Sequence, residues 1–245
     1  MSDYIQTYRD ILSSNDLSQF CSEEIIEKLH RAQTEITEKN KHLNLTAITD
    51  EKDFIIKHWA DSLKIVRHIP SGAKVLDVGT GGGILALAVS IARKDVNVTA
   101  MDSTEKKIRF VNELADLLSL DNLKAQGGRA EEWGRDEHRE SFDFVCARAV
   151  ADLPVLCELC IPLVKVGGLF VSLKGKNGKE ELERANRAYK EFGCVLKETD
   201  DFELKENSES GQTGLERTIF VFSKTKKTPA EYPRKYSSII NKTIK

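Results

Sequence analysis

Val75-Leu76-Asp77-Val78-Gly79-Thr80-Gly81-Gly82-Gly83-Ile84 is an apolar run that breaks into four glycines within five residues and resumes as Leu85-Ala86-Leu87-Ala88-Val89. The pattern predicts a strand, a tight turn and a helix. Glycine at 79, 81, 82 and 83 strips the turn of Cβ atoms, so a ligand can lie against bare backbone. That is the layout of a nucleotide-type loop, although such a turn can also serve packing alone. The dinucleotide fingerprint G-x-G-x-x-G has its third glycine where this chain has Ile84, and an acid, Asp77, stands two residues before the first glycine. A carboxylate there repels a pyrophosphate but suits a cationic ligand, which disfavours a nicotinamide oxidoreductase. Asp102 follows at the end of the next predicted strand, where a carboxylate can accept hydrogen bonds from both ribose hydroxyls or cap the helix behind it. Asp77, the glycine turn and Asp102 together fit S-adenosylmethionine, a positively charged adenosine without phosphates.

Outward from the loop, short apolar runs alternate with helical stretches. Strands are predicted at 74–78, 96–101, 123–126, 142–147 and 168–174, and helices near 83–93, 105–119, 152–161 and 178–192. This alternation predicts an α/β fold, a doubly wound Rossmann-like sheet that is mostly parallel. Cys194 to Leu204 and Glu216 to Ser223 flank a polar Ser/Gly/Glu loop and predict an antiparallel hairpin closing the sheet edge. Ahead of the loop, Ile25, Ile26, Leu29, Ala32 and Ile36 recur at helical spacing behind Ser22 as N-cap, and a second helix runs from Thr49-Asp50 to about Arg67. The expected organisation is a helical extension over 1–70 packed on the core, a methyltransferase domain over 71–223 and a basic tail over 224–245.

At 245 residues the chain suits one α/β domain plus an extension rather than two equal domains. No apolar run reaches the roughly 18 residues of a membrane span, and the N-terminus lacks a signal layout, so a cytoplasmic protein is expected. The five cysteines lie in apolar segments and read as reduced thiols. Net charge is −2, but the tail holds seven Lys or Arg against Glu231, which leaves the rest of the chain strongly acidic.

Specific motifs follow in order: Asn44-Leu45-Thr46-Ala47-Ile48, His58-x-x-Asp61-Ser62-Leu63, the glycine loop, Asp102-Ser103-x-x-Lys106-Lys107, Arg129-Ala130-Glu131, Ala147-Arg148-Ala149 and Tyr232-Pro233-Arg234-Lys235. This set resembles the RsmG (GidB) family, bacterial methyltransferases that modify N7 of a guanine in 16S ribosomal RNA. The resemblance covers most of the chain. It implies S-adenosylmethionine contacts at Gly79, Ile84, Ala130, Glu131 and Arg148, beside Asp77, Gly81, Gly83, Asp102 and Ser103 of the loop and its neighbouring strand. The chain departs from the family pattern at Ile84-Leu85-Ala86-Leu87 and after Lys235.

Guanine N7 carries a lone pair and no proton, so the implied reaction needs positioning more than a general base. His58, Asp61, Arg148 and Lys174 are the positioning candidates. His58 and Asp61, three residues apart, fall on one helical face and can equally form a structural pair. No Asn-Pro-Pro-Tyr/Phe motif follows the fourth strand, and Cys146 reads as buried rather than as an activated nucleophile. Cys157-x-x-Cys160 lacks a second ligand pair, so no metal is expected. Lys106, Lys107, Arg109, Arg129, Lys174, Arg234 and Lys235 are candidates for an RNA-phosphate rim, although a solvated helix face explains the first three as simply. The expected partner is 16S ribosomal RNA or a small-subunit precursor, met by a monomer, with no DNA and no membrane involved. A small-molecule methyltransferase would share the cofactor loop without needing the tail, and a noncatalytic ribosome-associated protein would bind RNA without consuming the cofactor.

Overall fold

The computed structural model describes residues 3–205 and 214–245. Most of the polar loop of the expected hairpin lies outside the described residues. A seven-stranded sheet runs in the order β3-β2-β1-β4-β5-β7-β6. Its strands are β1 Lys74–Val78, β2 Asn97–Asp102, β3 Leu123–Gly127, β4 Phe142–Arg148, β5 Val164–Lys174, β6 Cys194–Leu204 and β7 Leu215–Lys224. The first five are parallel, and β7 alone pairs antiparallel with β5 on one side and β6 on the other. The hairpin thus closes the sheet with its second strand inside and its first outside. The burial pattern gives the reason: Thr218 to Phe222 is an unbroken buried run, whereas β6 is mostly exposed. An inner strand covered on both faces needs such a continuous run.

Helices cover both faces. They are α1 Asp3–Ser14, α2 Glu23–Leu43, a helical run α3 over residues 51–68, α4 Ile84–Ala92, α5 Glu105–Leu117, α6 Ala130–Trp133, α7 Leu153–Cys160, α8 Gly178–Glu191 and α9 Tyr236–Asn241. Ser22 caps α2 by accepting the Ile25 N–H, with Glu23 and Glu24 in its first turn where the dipole favours acids. Asp50 caps α3 by accepting from Asp53. The expected single α-helix up to Arg67 changes pitch instead: α at Glu51–Phe54, π over Ile55–Ala60, α at Asp61–Leu63 and 3₁₀ over Lys64–His68. Such π turns recur at functional sites.

Side chains alternate across β1, so Val75 joins one hydrophobic cluster and Leu76 and Val78 the other. The first holds Tyr8, Leu12, Ile26, Leu29, Ile36 and Trp59 together with α4 and α5, so the N-terminal helices cover this face. Each such large side chain contributes about 1.5–3 kcal/mol when fully buried. The second cluster holds α7, Phe170, Phe220, Phe222 and, from the tail, Ile239. The basic tail is pinned. Lys224 is fully buried 2.9 Å from Glu140 and donates to the Ile161 carbonyl, while the Arg139 guanidinium donates to the Tyr232, Thr228 and Pro229 carbonyls.

Candidate functional site

Strand order reverses between β1 and β4, the switch point where open α/β sheets bind ligands beyond their carboxyl ends. A cleft of about 910 Å³ opens there. One wall is the glycine loop. Asp77 is buried, and Thr80 Oγ1 donates to its Oδ2 at 2.6 Å. The Thr80 N–H reaches the Met101 carbonyl at 2.8 Å, and the Gly81 N–H reaches Asp102 Oδ2 at 3.0 Å, so β2 fixes the loop. Gly81 has φ +58° with open space where a side chain would stand. Gly83 plays a different part. A Cβ there would meet Val111 at 2.8 Å, so this glycine seats α4 against α5 and does not line the cleft. Asp102 Oδ1 accepts the Thr104 N–H at 2.8 Å, an Asx turn into α5.

Burial raises the Asp77 carboxyl to about 6, against the Thr80 hydrogen bond and the Arg148 charge, which lower it. The folded value lies above the unfolded one. This group therefore favours the fold below about pH 4 and loses that contribution as pH rises through about 6. A bound cation favours the ionised form. Affinity for a cationic ligand held over this acid is therefore expected to strengthen from pH 5 to pH 7 in the wild type and to stay flat in Asp77→Asn, as calorimetry at the two pH values with the ligand expected from the sequence, S-adenosylmethionine, can show.

The opposite wall is cationic. Arg148, at the end of β4, places NH1 3.2 Å from Asp61 Oδ2 and 3.1 Å from the Lys57 carbonyl. Its NH2 lies 3.4 Å from His58 Nδ1, and His58 Nε2 lies 2.7 Å from Thr46 Oγ1. Burial first and the Arg148 charge second lower the His58 pKa to about 3, against a smaller opposing effect of the Lys57 backbone. The imidazole is therefore neutral at physiological pH. Arg217, on β7, brings Nε within 3.4 Å of Asp61 Oδ1 without hydrogen-bond geometry. Asp61 is thus the shared counterion of two guanidiniums. Arg217 is not among the candidates drawn from the sequence, although it precedes a buried strand run just as Arg148 follows one.

Lys174 lines the cleft but is buried, 2.8 Å from Glu181, and it donates to the Ala151 carbonyl at 2.7 Å. Glu181 also accepts the Leu153 N–H at 2.8 Å. Lys174 thereby holds the loop after β4, in which Ala149 takes a left-handed φ of 56° and Val150 lies over Gly79. A non-glycine residue in that region is strained and persists where its surroundings fix it.

Gly79, Gly81, Ile84, Asp77, His58, Asp61, Arg148 and Lys174 line the cleft. Asp102, Ser103, Ala130 and Glu131 do not; they belong to the β2–β3 side of the loop, where the Gly128 N–H reaches the Asp102 carbonyl at 3.1 Å. Arg129 pairs with Glu131 at 2.6 Å and lies over the Tyr236 ring. On α5, Lys106 and Arg109 are exposed and Lys107 is half-buried. Arg234 is locked to buried Glu158 at 2.6 Å, and Lys235 is exposed. Cys146, Cys157 and Cys160 are buried, and burial pushes their thiols up, which leaves them unreactive. Away from the cleft, His68 approaches Glu198 and Asp200 of β6, with Arg67 paired to Asp200.

Comparisons with known proteins agree with this architecture. A family model described as rRNA small subunit methyltransferase G (GidB) matches residues 25–208. Ribosomal RNA small subunit methyltransferase G of Clostridium tetani is 37% identical over 97% of this chain and 99% of its own length. The protein of that name from Deinococcus radiodurans is 46% identical over 80% of this chain and 76% of its own. Among solved structures, M. jannaschii TYW2 in complex with AdoMet superposes with a TM-score of 0.52 at 15% identity, covering 69% of this chain and 77% of that one. A precorrin-6y C5,15-methyltransferase from Geobacter metallireducens reaches 0.53 at 14% identity, covering 76% and 96%. These two likenesses show the fold alone. With a family match over most of its length and relatives above one-third identity across 80% and 97% of it, the chain belongs to the GidB family, rRNA small subunit methyltransferase G.

Proposed function

We propose that this protein transfers the methyl group of S-adenosylmethionine to N7 of a guanine in 16S ribosomal RNA. The observation that carries the reading is the meeting, in one cleft at the switch point, of an open glycine loop over a buried acid with a paired-guanidinium wall. The donor fits the residues present. Gly81 leaves bare backbone beside open space, and the two Asp102 oxygens each accept one backbone N–H and keep acceptor capacity for ribose hydroxyls. Asp77, Gly79, Gly81 and Ile84 would hold it from the cleft, and Asp102, Ser103, Ala130 and Glu131 from the β2–β3 side. When bound, S-adenosylmethionine supplies an electrophilic methyl group.

The chain's own groups position and need not take a proton. His58 is held neutral by burial, Asp61 is committed to Arg148 and Arg217, and Asp77 lies beneath the loop. An unprotonated purine nitrogen requires no base, so this inventory suits N7 chemistry. The exposed Lys106, Arg109 and Lys235 can meet RNA phosphates. Arg129, Lys174 and Arg234 serve the protein's own ion pairs. We read residues 1–70 as a helical extension, 71–223 as the catalytic domain and 224–245 as a tail that latches the second face. The substrate is 16S RNA or a small-subunit precursor, met in the cytoplasm by a monomer.

Mapping modified guanines in 16S RNA from cells with and without the gene tests the reading. One N7-methylguanine is expected to vanish from the deletion strain and return with the intact gene. An unchanged profile overturns the assignment.

A further inference from the structure

The loop after α2 is clamped by one side chain. Asn40 Oδ1 accepts the N–H groups of Leu45 at 2.6 Å and Thr46 at 2.9 Å, and its Nδ2 donates to the Thr46 carbonyl at 2.8 Å. Asn44 caps the helix in the left-handed region. The clamp lays Leu45 against Gly82, where an added Cβ would meet the Leu45 Cβ at 3.2 Å, and sets Thr46 in the cleft lining between the glycine loop and the cationic wall.

The Thr46 hydroxyl has fixed neighbours. Its oxygen accepts the Ile48 N–H at 3.0 Å and lies 2.7 Å from His58 Nε2. Across the ring, Arg148 NH2 faces Nδ1 at 3.4 Å, and Arg148 NH1 donates to the nearby Lys57 carbonyl at 3.1 Å. A guanidinium offers only donors, and its charge outweighs the smaller opposing pull of the Lys57 backbone, so the neutral ring is assigned its lone pair on Nδ1 and its proton on Nε2, aimed at Thr46. A hydroxyl has two lone pairs and one proton. Ile48 and His58 fill both lone pairs, and the proton is left for the cleft.

We propose that Thr46 selects guanine over adenine, with its donor-only hydroxyl taking O6 beside the N7 that receives the methyl group. The inference rests on the guanine-N7 reading above. Guanine presents N7 and O6 as adjacent acceptors, whereas adenine has an amino donor in place of O6. A hydroxyl whose lone pairs are filled cannot accept from that amine. The contact discriminates; Asn40, Ile48, His58 and Arg148 act through Thr46 by fixing which way its proton points.

The test is a cycle between protein and base. Small subunits carry 16S RNA with guanine or 2-aminopurine, which keeps N7 and lacks O6, at the target nucleotide, and methyl transfer is measured for wild type, Thr46→Val and Thr46→Ser. Removing O6 is expected to lower wild-type kcat/KM by roughly 10- to 100-fold. Thr46→Val should show that loss already with guanine and little further loss with 2-aminopurine, at unchanged S-adenosylmethionine affinity; Thr46→Ser should keep the wild-type discrimination. An equal 2-aminopurine penalty in wild type and Thr46→Val overturns the proposal. A second measurement needs no variant: two-bond ¹H–¹⁵N spectra of wild-type His58 should show the Nε2–H tautomer, and the Nδ1–H tautomer overturns the donor-only hydroxyl. If wild type leaves guanine N7 unmethylated, the functional reading fails instead, and the tautomer still decides the geometry.

Discussion

Arg148→Ala is expected to lower the single-turnover rate of methyl transfer by roughly 10²- to 10³-fold, the loss typical of a preorganised donor removed from an active site. Arg148 is one side chain with three simultaneous duties: Asp61 Oδ2, the Lys57 carbonyl and the His58 ring. A lysine cannot span all three, so Arg148→Lys should remain impaired. The fold should survive because Arg217 stays 3.4 Å from Asp61 and keeps that buried carboxylate paired. The stability cost is expected to be about 1.5–3 kcal/mol, the range for hydrogen bonds to a charged group. Labelled-methyl transfer under single turnover, with urea unfolding on the same samples, separates the two effects. A near-wild-type rate in Arg148→Ala removes this residue from the site.

The second large effect concerns the tail. Arg234→Ala should destabilise the protein by about 3–5 kcal/mol, because it strands a buried charge. Glu158 is only 1% exposed and receives the Arg234 backbone N–H, Nε and NH2 at 2.9, 2.8 and 2.6 Å. Adding Glu158→Gln should recover part of the loss, since a neutral amide leaves no unpaired charge. Denaturant unfolding of the single and double variants measures this coupling. Equal stabilities for wild type and Arg234→Ala would return Arg234 to the pool of RNA-contacting cations.

Arg234 illustrates what local sequence conceals. The run of tail cations reads as free charge because its partners, Glu140 and Glu158, lie far back in the chain. Lys174 is hidden in the same way by Glu181 and the Ala151 carbonyl. Strands were legible where apolar runs are clean: β1 spans the expected 74–78. The start of β5 was not: the expected strand begins at residue 168, whereas β5 begins at Val164, because two adjacent glycines interrupt the apolar run. The strand passes through Gly167 at φ +91°, beside a register shift opposite Phe142 and Phe144. The inner position of β7 was available from its unbroken apolar run. The π turn of α3 leaves no mark in the hydrophobic period, so the spacing of His58 and Asp61 announced a shared face but not their common partner. The glycine loop announced a ligand; that Asp102 ties to it through Gly81 follows only from the β1–β2 register.

The outer position of β6 bears on how the protein behaves at high concentration. A free strand edge invites another chain to pair with it. Here the edge carries Glu198, Asp200, Asp201 and Glu203, and a bulge between Leu196 and Glu198 bends its ladder. A second copy docking edge to edge would bring two rows of carboxylates together, and like charges across paired strands repel. The same acids that anchor Arg67, Lys179 and Thr218 therefore guard the sheet against growing into the next molecule.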